Sequence, residues 1–302
     1  MVHIKETNVL MVSLFYQGHI SPMIRFAKLL SSKGLHVTVA TTNNARDHLL
    51  NGLAKETNFI DFEFFDDGLD NELDRDKNLG ILLEEYLPRN GAKNLSDLIY
   101  TLEAKGKSSV IYIALGSISV LSQSETEALA MALESDKNRR FLWVRKEGKE
   151  GWGRKMGELP EGFIENTKDR GLIVPWCCQE KVLMHPAIEC FLTHCGWNST
   201  LETIMAGVPI IAYPDWTDQP TNAILLVDVF KVGVRMSKKK DGELEKEEIE
   251  RCIMEVTTGP RALAMKEQSI MWKEAAKKAT LSGGSSNMNI ENFINELKGK
   301  IV

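Results

Sequence analysis

Between Trp176 and Gln219 the sequence WCCQEKVLMHPAIECFLTHCGWNSTLETIMAGVPIIAYPDWTDQ gathers an aromatic platform, a glycine turn, a polar helix start and an acid–amide pair. Trp176 follows the apolar run Gly171–Pro175, which reads as a strand. It therefore lies beyond a strand's carboxyl end, where open α/β sheets bind ligands. There the indole could stack on a planar base or serve as a half-buried aromatic. Gln179 could bond a ribose or base edge, or cap the segment Lys181–Met184. The run Ile188–Thr193 then delivers His194-Cys195-Gly196-Trp197 ahead of a helix opening Asn198-Ser199-Thr200-Leu201-Glu202. Unbonded N–H groups and the positive dipole end at such a start suit a diphosphate. Gly196 permits close backbone approach, and His194, Asn198 and Ser199 add side-chain donors. Helix grammar taken alone favours Ser199-x-x-Glu202 as a capping box. A last strand, Val208–Tyr213, leads to Asp218 and Gln219, an acid and an amide able to bind adjacent hydroxyls. Asp218 fits equally well as an N-cap, with Pro220 in the first turn.

A second candidate stands near the N-terminus. His19, in Gln17-Gly18-His19-Ile20-Ser21-Pro22, follows the first apolar run and opens a helix. It could serve as a general base, since an imidazole titrates near working pH. Position alone favours a helix cap or a core histidine. The group Cys177, Cys178, His185, Cys190, His194 and Cys195 matches no paired zinc plan, and no metal is expected. Gly151-x-Gly153-x-x-x-Gly157 lies among charged residues without a following helix, so it is discounted as a dinucleotide loop.

Strands alternate with helical patterns along the 302 residues, which predicts an α/β fold with parallel sheets. Expected strands are Asn8–Leu14, Leu35–Ala40, Phe59–Phe65, Ser109–Leu115, Phe141–Val144, Gly171–Pro175, Ile188–Thr193 and Val208–Tyr213. Helical patterns fill Leu82–Leu87, Leu95–Leu102, about Ser122–Leu133 and the tail from Pro260 onward. Two domains are expected, 1–107 and 108–302. The first contributes only three strands, a poor sheet by itself. A net charge of -5 gives no attraction for nucleic acid or acidic membranes. Five cysteines without a C-x-x-C spacing, and no secretory signal, point to reduced thiols and a cytoplasmic protein.

The Trp176–Gln219 segment resembles, end to end, the signature box of the plant family 1 UDP-dependent glycosyltransferases. That resemblance implies a GT-B-like fold of two Rossmann-type domains, here with the N-terminal one incomplete. It also implies UDP-glucose as donor substrate and no separate cofactor. It places Trp176 on uracil with Cys177 beside it, and Gln179 and Glu202 on ribose. His194, Asn198, Ser199 and Gly196 fall at the diphosphate, and Trp197, Asp218 and Gln219 at the sugar. SSVIYIALGS looks like the first strand of the donor domain, with Ser117 approaching the phosphates and Ala114-Leu115 where Ser-Phe is common. GHxxP near the N-terminus carries the family's catalytic histidine, here His19. The orienting aspartate of a later strand has no counterpart, and about 100–150 residues are missing between Ile99 and Ser108 by ordinary domain size. The wording AYPDWTDQP and DGELEKEEIERC is similar to the branch that makes glucose esters of small aryl or indolyl carboxylic acids. A monomer with a small-molecule acceptor, such an acid or a phenolic, inverting and metal-independent, is the expectation; a catalytically impaired UDP-sugar-binding remnant or an internally deleted isoform is the alternative.

Overall fold

The computed structural model describes residues 8–13, 17–42, 60–65, 109–116, 119–145, 150–151, 154–239 and 242–299. The expected helical stretches Leu82–Leu87 and Leu95–Leu102 lie outside these residues, as does Ser117. Two compact units emerge, one formed by residues 1–89 with 278–302 and the other by 90–277.

In the first unit β1 (Asn8–Val12), β2 (His36–Thr42) and β3 (Ile60–Phe65) form a parallel sheet in that order. Helix α1 (Gln17–Ser32) leads from β1 into β2. Strand alternation turns Val37 and Val39 inward, where they meet Ile24, Ala27 and Leu30 of α1. The same core contains Ile294, which is 2% exposed and comes from the last helix of the chain. Lys33 bonds Glu291 of that helix, and Phe26 sits 6.4 Å from Phe293. Residues 278–302 thus pack with the first unit. The boundary expected from sequence, 108–302 for the second domain, ran past this exchange because a linear pattern does not reveal which core an amphipathic helix enters.

The second unit is a six-stranded parallel sheet built from β4 (Val110–Ala114), β5 (Arg140–Val144), β8 (Gly171–Val174), β9 (Ile188–Thr193), β10 (Ile210–Ala212) and β11 (Gly233–Arg235). The two-residue pair β6 (Glu150–Gly151) and β7 (Arg154–Lys155) forms a separate antiparallel ribbon across the discounted glycine motif. The main sheet runs in the order β11-β10-β9-β4-β5-β8. Successive strands therefore move outward on one side as far as β8 and resume on the other at β9. The reversal, between β4 and β9, opens the crevice where doubly wound sheets bind ligands.

Both faces of this sheet are covered, which explains why its strands are apolar throughout. In β4 every residue is buried. Ile111 and Ile113 join one core layer, and Val110, Tyr112 and Ala114 join the other. The first layer is closed by α2 (Gln123–Ser135), α3 (Phe163–Thr167), α7 (Lys246–Thr257) and α8 (Ala262–Thr280). The second is closed by α4 (Gln179–Leu183), α5 (Trp197–Ala206) and α6 (Gln219–Ile224), the last running on into a π turn over Leu225–Val229. Helix α9 (Ser285–Gly299) is the one that leaves for the first unit. Among the described residues no helix is long and apolar enough to cross a membrane.

Candidate functional site

The chain leaves β4 through Leu115-Gly116 and β9 through His194-Cys195-Gly196, so the two segments flank the crevice. Gly116 has φ +83, and a Cβ there would stand 2.4 Å from His194 Nε2. A Cβ on Gly196 would stand 2.5 Å from the same atom. The imidazole therefore occupies space that side chains at these two positions would fill. Its Nδ1 is buried and makes no hydrogen bond among the described residues.

Burial lowers the His194 pKa to about 4, against a smaller opposing pull from Asp218. The ring is thus neutral at working pH and offers one N–H donor and one acceptor. An unfolded histidine takes its proton near 6.5, so the folded state resists a proton that the unfolded chain accepts. This contribution to stability is complete above about pH 6.5 and is lost as the pH falls toward 4. An NMR titration of the His194 ring is expected to show its midpoint near 4. A midpoint at the usual histidine value would mean the ring is solvated and free to turn.

Cys195 carries φ 61, a left-handed conformation unusual for a residue with a side chain. Its carbonyl accepts Asn222 Nδ2 at 2.9 Å and Thr200 Oγ1 at 3.4 Å, and its N–H donates to Thr193 Oγ1 at 3.1 Å. These bonds hold the turn that presents His194 and starts α5. The helix begins at Trp197, with Gly196 as N-cap and no side-chain cap. Its first internal bond runs from Thr200 N–H to the Gly196 carbonyl. The backbone N–H groups of Trp197, Asn198 and Ser199 precede that bond and face the helix's positive end.

This start corrects the expected capping box. Ser199 is the third helical residue rather than the cap, and Glu202 lies a turn further in. Both bond Gln179 instead, whose Nε2 donates to Ser199 Oγ at 2.8 Å and to Glu202 Oε2 at 2.7 Å. Gln179 opens α4, directly behind Trp176, so one amide couples the loop after β8 to the first turns of α5. Cys177 faces the other way. Its thiol is buried against Tyr112 Oη at 3.2 Å, and burial pushes its pKa up to about 12. Only its backbone is left for any ligand. All five cysteines are free thiols.

The loop after β10 supplies the rest. Thr217 is left-handed at φ 58. Asp218 stands at the N-cap of α6 without capping it through its side chain. Its carboxylate accepts Asn222 Nδ2 at 2.7 Å and Thr217 Oγ1 at 2.9 Å. Burial alone would raise its pKa, but these bonds win and bring it below the usual value. Gln219 is only 6% exposed, and its Oε1 accepts the N–H groups of Asp215 at 2.9 Å and Trp216 at 3.3 Å. Its remaining polar group is the amide nitrogen. Trp197, at the mouth of the crevice, is 52% exposed.

The structure therefore brings His194, Gly196, Trp197, Asn198, Ser199, Glu202 and Gln179 together around the β4–β9 crevice, with Trp176 on the adjoining loop. His19 belongs to the other unit, where it is exposed in the first turn of α1. Sequence reasoning missed Gly116 and Asn222. Asn222 had one readable signal, its spacing of four from Asp218 on a helix.

Residues 89–273 match the family described as UDP-glucoronosyl and UDP-glucosyl transferase. Gallate 1-beta-glucosyltransferase of Quercus robur is 43% identical over 211 residues, which are 68% of this chain and 41% of that protein. Os79 from O. sativa, solved with UDP and deoxynivalenol-3-glucoside, is 36% identical with a TM-score of 0.59, covering 66% of this chain and 45% of that one. A UDP-glucosyltransferase from Polygonum tinctorium capable of glucosylating indoxyl superposes with a TM-score of 0.80 at 21% identity, over 98% of this chain and 100% of that one. The likeness establishes the α/β, GT-B-like fold of Rossmann-type units. The chain spans less than half the length of the curated relatives it matches.

Proposed function

The chain belongs to the UDP-glucoronosyl and UDP-glucosyl transferase family, and from that premise we propose that it binds UDP-glucose and transfers glucose to a small carboxylic acid. The observation that carries this reading is the His194 ring set beside Gly116 and Gly196 at the start of α5, a helix with no side-chain cap. Neutral imidazole and the N–H groups of Trp197, Asn198 and Ser199 together supply donors for a diphosphate without a metal. Trp176 takes the base, with Cys177 beside it through its backbone. Glu202, already oriented by Gln179, takes the ribose hydroxyls. Ser117, outside the described residues, is assigned to the phosphates. Trp197, Asp218 and the amide nitrogen of Gln219 are assigned to the sugar.

In the proposed reaction an acceptor oxygen forms a bond to the anomeric carbon as the bond from that carbon to the UDP oxygen breaks, with inversion. UDP leaves with the bonding pair and its negative charge is met by the donors of α5. His19 is proposed as the base for acceptors that must lose a proton. A carboxylic acid, with a reference pKa of roughly 4, arrives already ionised and needs that base least. The 43% identity to a gallate glucosyltransferase supports an aryl acid. The cytoplasm and a monomeric state remain part of the proposal.

The test is turnover with UDP-glucose and either gallate or a phenol, followed as UDP release. Release is expected to require an acceptor. His19→Ala is expected to reduce phenol transfer by roughly 10²-fold or more while affecting carboxylate transfer less. UDP binding without any acceptor-dependent release would instead favour a UDP-sugar-binding remnant.

A further inference from the structure

On the side of the crevice away from α5, a cleft is lined by His194, Tyr213, Asp215, Glu125 and Lys238. Three of these residues form one knot. Tyr213 Oη donates to Glu125 Oε1, and Lys238 Nζ donates to the same oxygen at 2.6 Å. The ammonium also lies 5.0 Å from the centre of the Tyr213 ring, within cation–π range. The other carboxylate oxygen accepts the Ser122 N–H at 2.9 Å and so caps α2. The Glu125 side chain is only 14% exposed, so this pair is better shielded from water than an ordinary surface ion pair.

The knot joins three segments that follow different strands: α2 after β4, Tyr213 after β10 and Lys238 after β11. Tyr213 is also the first residue of the loop that ends in Asp218 and Gln219. Inside that loop the Gln219 amide and the Asp218–Asn222 bond make one rigid piece. Internal bonds fix the shape of a piece and not its place. Its anchors to the rest of the sheet end include Asn222 on the Cys195 carbonyl at the far end and, at the near end, the Tyr213 N–H on the Thr193 carbonyl at 2.8 Å with the Tyr213 hydroxyl on Glu125.

We propose that Glu125, with Lys238 and Tyr213, is a positioning residue that sets where the Tyr213–Gln219 loop stands, and so selects the sugar of the bound donor. The idea rests on the UDP-glucose reading above. Its consequence is a separation of effects, because the uridine and diphosphate contacts come from α4, α5 and His194, which the knot does not hold.

Glu125→Gln is the informative variant. Glutamine serves a capping box as well as glutamate does, so α2 keeps its cap while Lys238 and Tyr213 lose the charged partner. Binding of UDP and of UDP-glucose to the full chain is measured separately by calorimetry, beginning with the unaltered protein. UDP affinity is expected to stay within about twofold, while UDP-glucose affinity and its preference over UDP-galactose each fall about fivefold or more. Tyr213→Phe, which removes one hydroxyl and keeps the ring, should reproduce that pattern. Equal weakening of both ligands, or unchanged UDP-glucose binding in both variants, overturns the positioning role. An unaltered chain that binds neither ligand removes the donor reading itself, and this inference with it.

Discussion

Gly116→Ala is expected to lower UDP affinity about tenfold or more with the chain still folded. The added Cβ would stand 2.4 Å from His194 Nε2 and 2.7 Å from Cε1. The ring could not move aside toward Gly196 without closing on that backbone, since even a built Cβ there would stand 2.5 Å from His194 Nε2. The imidazole must therefore leave its place. A bond from it to a diphosphate is charge-assisted and worth roughly 1.5–3 kcal/mol, which is about 10- to 150-fold in affinity. A left-handed φ adds about 1–2 kcal/mol of strain for a residue with a side chain. Gly34→Ala separates the two terms. Gly34 has φ +81 with nothing within 4 Å of its would-be Cβ, so it should lose stability alone and leave UDP binding unchanged. Calorimetric titration of both variants gives the answer, and a Gly116→Ala protein that binds UDP normally would remove His194 from the phosphate site.

Phe191→Ala is expected to be the most destabilising single replacement. Phe191 is fully buried in β9, next to the point where strand order reverses, and its ring stacks on Tyr112 at 4.8 Å. Truncating such a ring costs about 3–5 kcal/mol, which for a unit of this size lowers the melting temperature by roughly 10 °C. Tyr112 also holds the Cys177 thiol, so a void here loosens the loop carrying Trp176 as well as the strand carrying His194. UDP should consequently raise the melting temperature of the variant less than it raises that of the unaltered chain. A drop of only two or three degrees would mean the core closes over the gap.

The strands were readable because a parallel sheet covered on both faces demands continuous apolar runs. Ile188–Thr193 appears with the bounds expected, and the others shift by one or two residues, as for Val208–Tyr213, of which Ile210–Ala212 are paired. Strand β11 escaped because three residues carry no period. Helix α7 could have been found, since Ile249, Cys252, Ile253 and Val256 repeat at helical spacing. The tail helix starts at Ala262, two residues beyond Pro260, because the Ala262 N–H bonds the Gly259 carbonyl and makes Gly259–Ala262 a turn with Pro260 in its second place.

The donor-side residues were legible as a set, and their local roles were not. Ser199-x-x-Glu202 satisfies the rule for a cap, yet the helix starts earlier because Gly196 and the left-handed Cys195 set the turn. Only a partner from another helix, Gln179, explains where those side chains go. Glu125 and Lys238 stand 113 residues apart in sequence, and no pattern of spacing announces such a meeting. Trp176 and Gln219 mark the ends of one segment, but part of its support, from Glu125 and Asn222, comes from outside it.

The return of α9 to the first sheet has a consequence for the order of synthesis. Ile294 completes the core made by Ile24, Leu30 and Val37, so these residues wait for one that follows them by more than two hundred and fifty positions. Every strand of the second unit has been made before Ile294. The core that β1 and α1 open is thus closed only after the strands of the second unit exist, and until then its apolar face has no partner from α9.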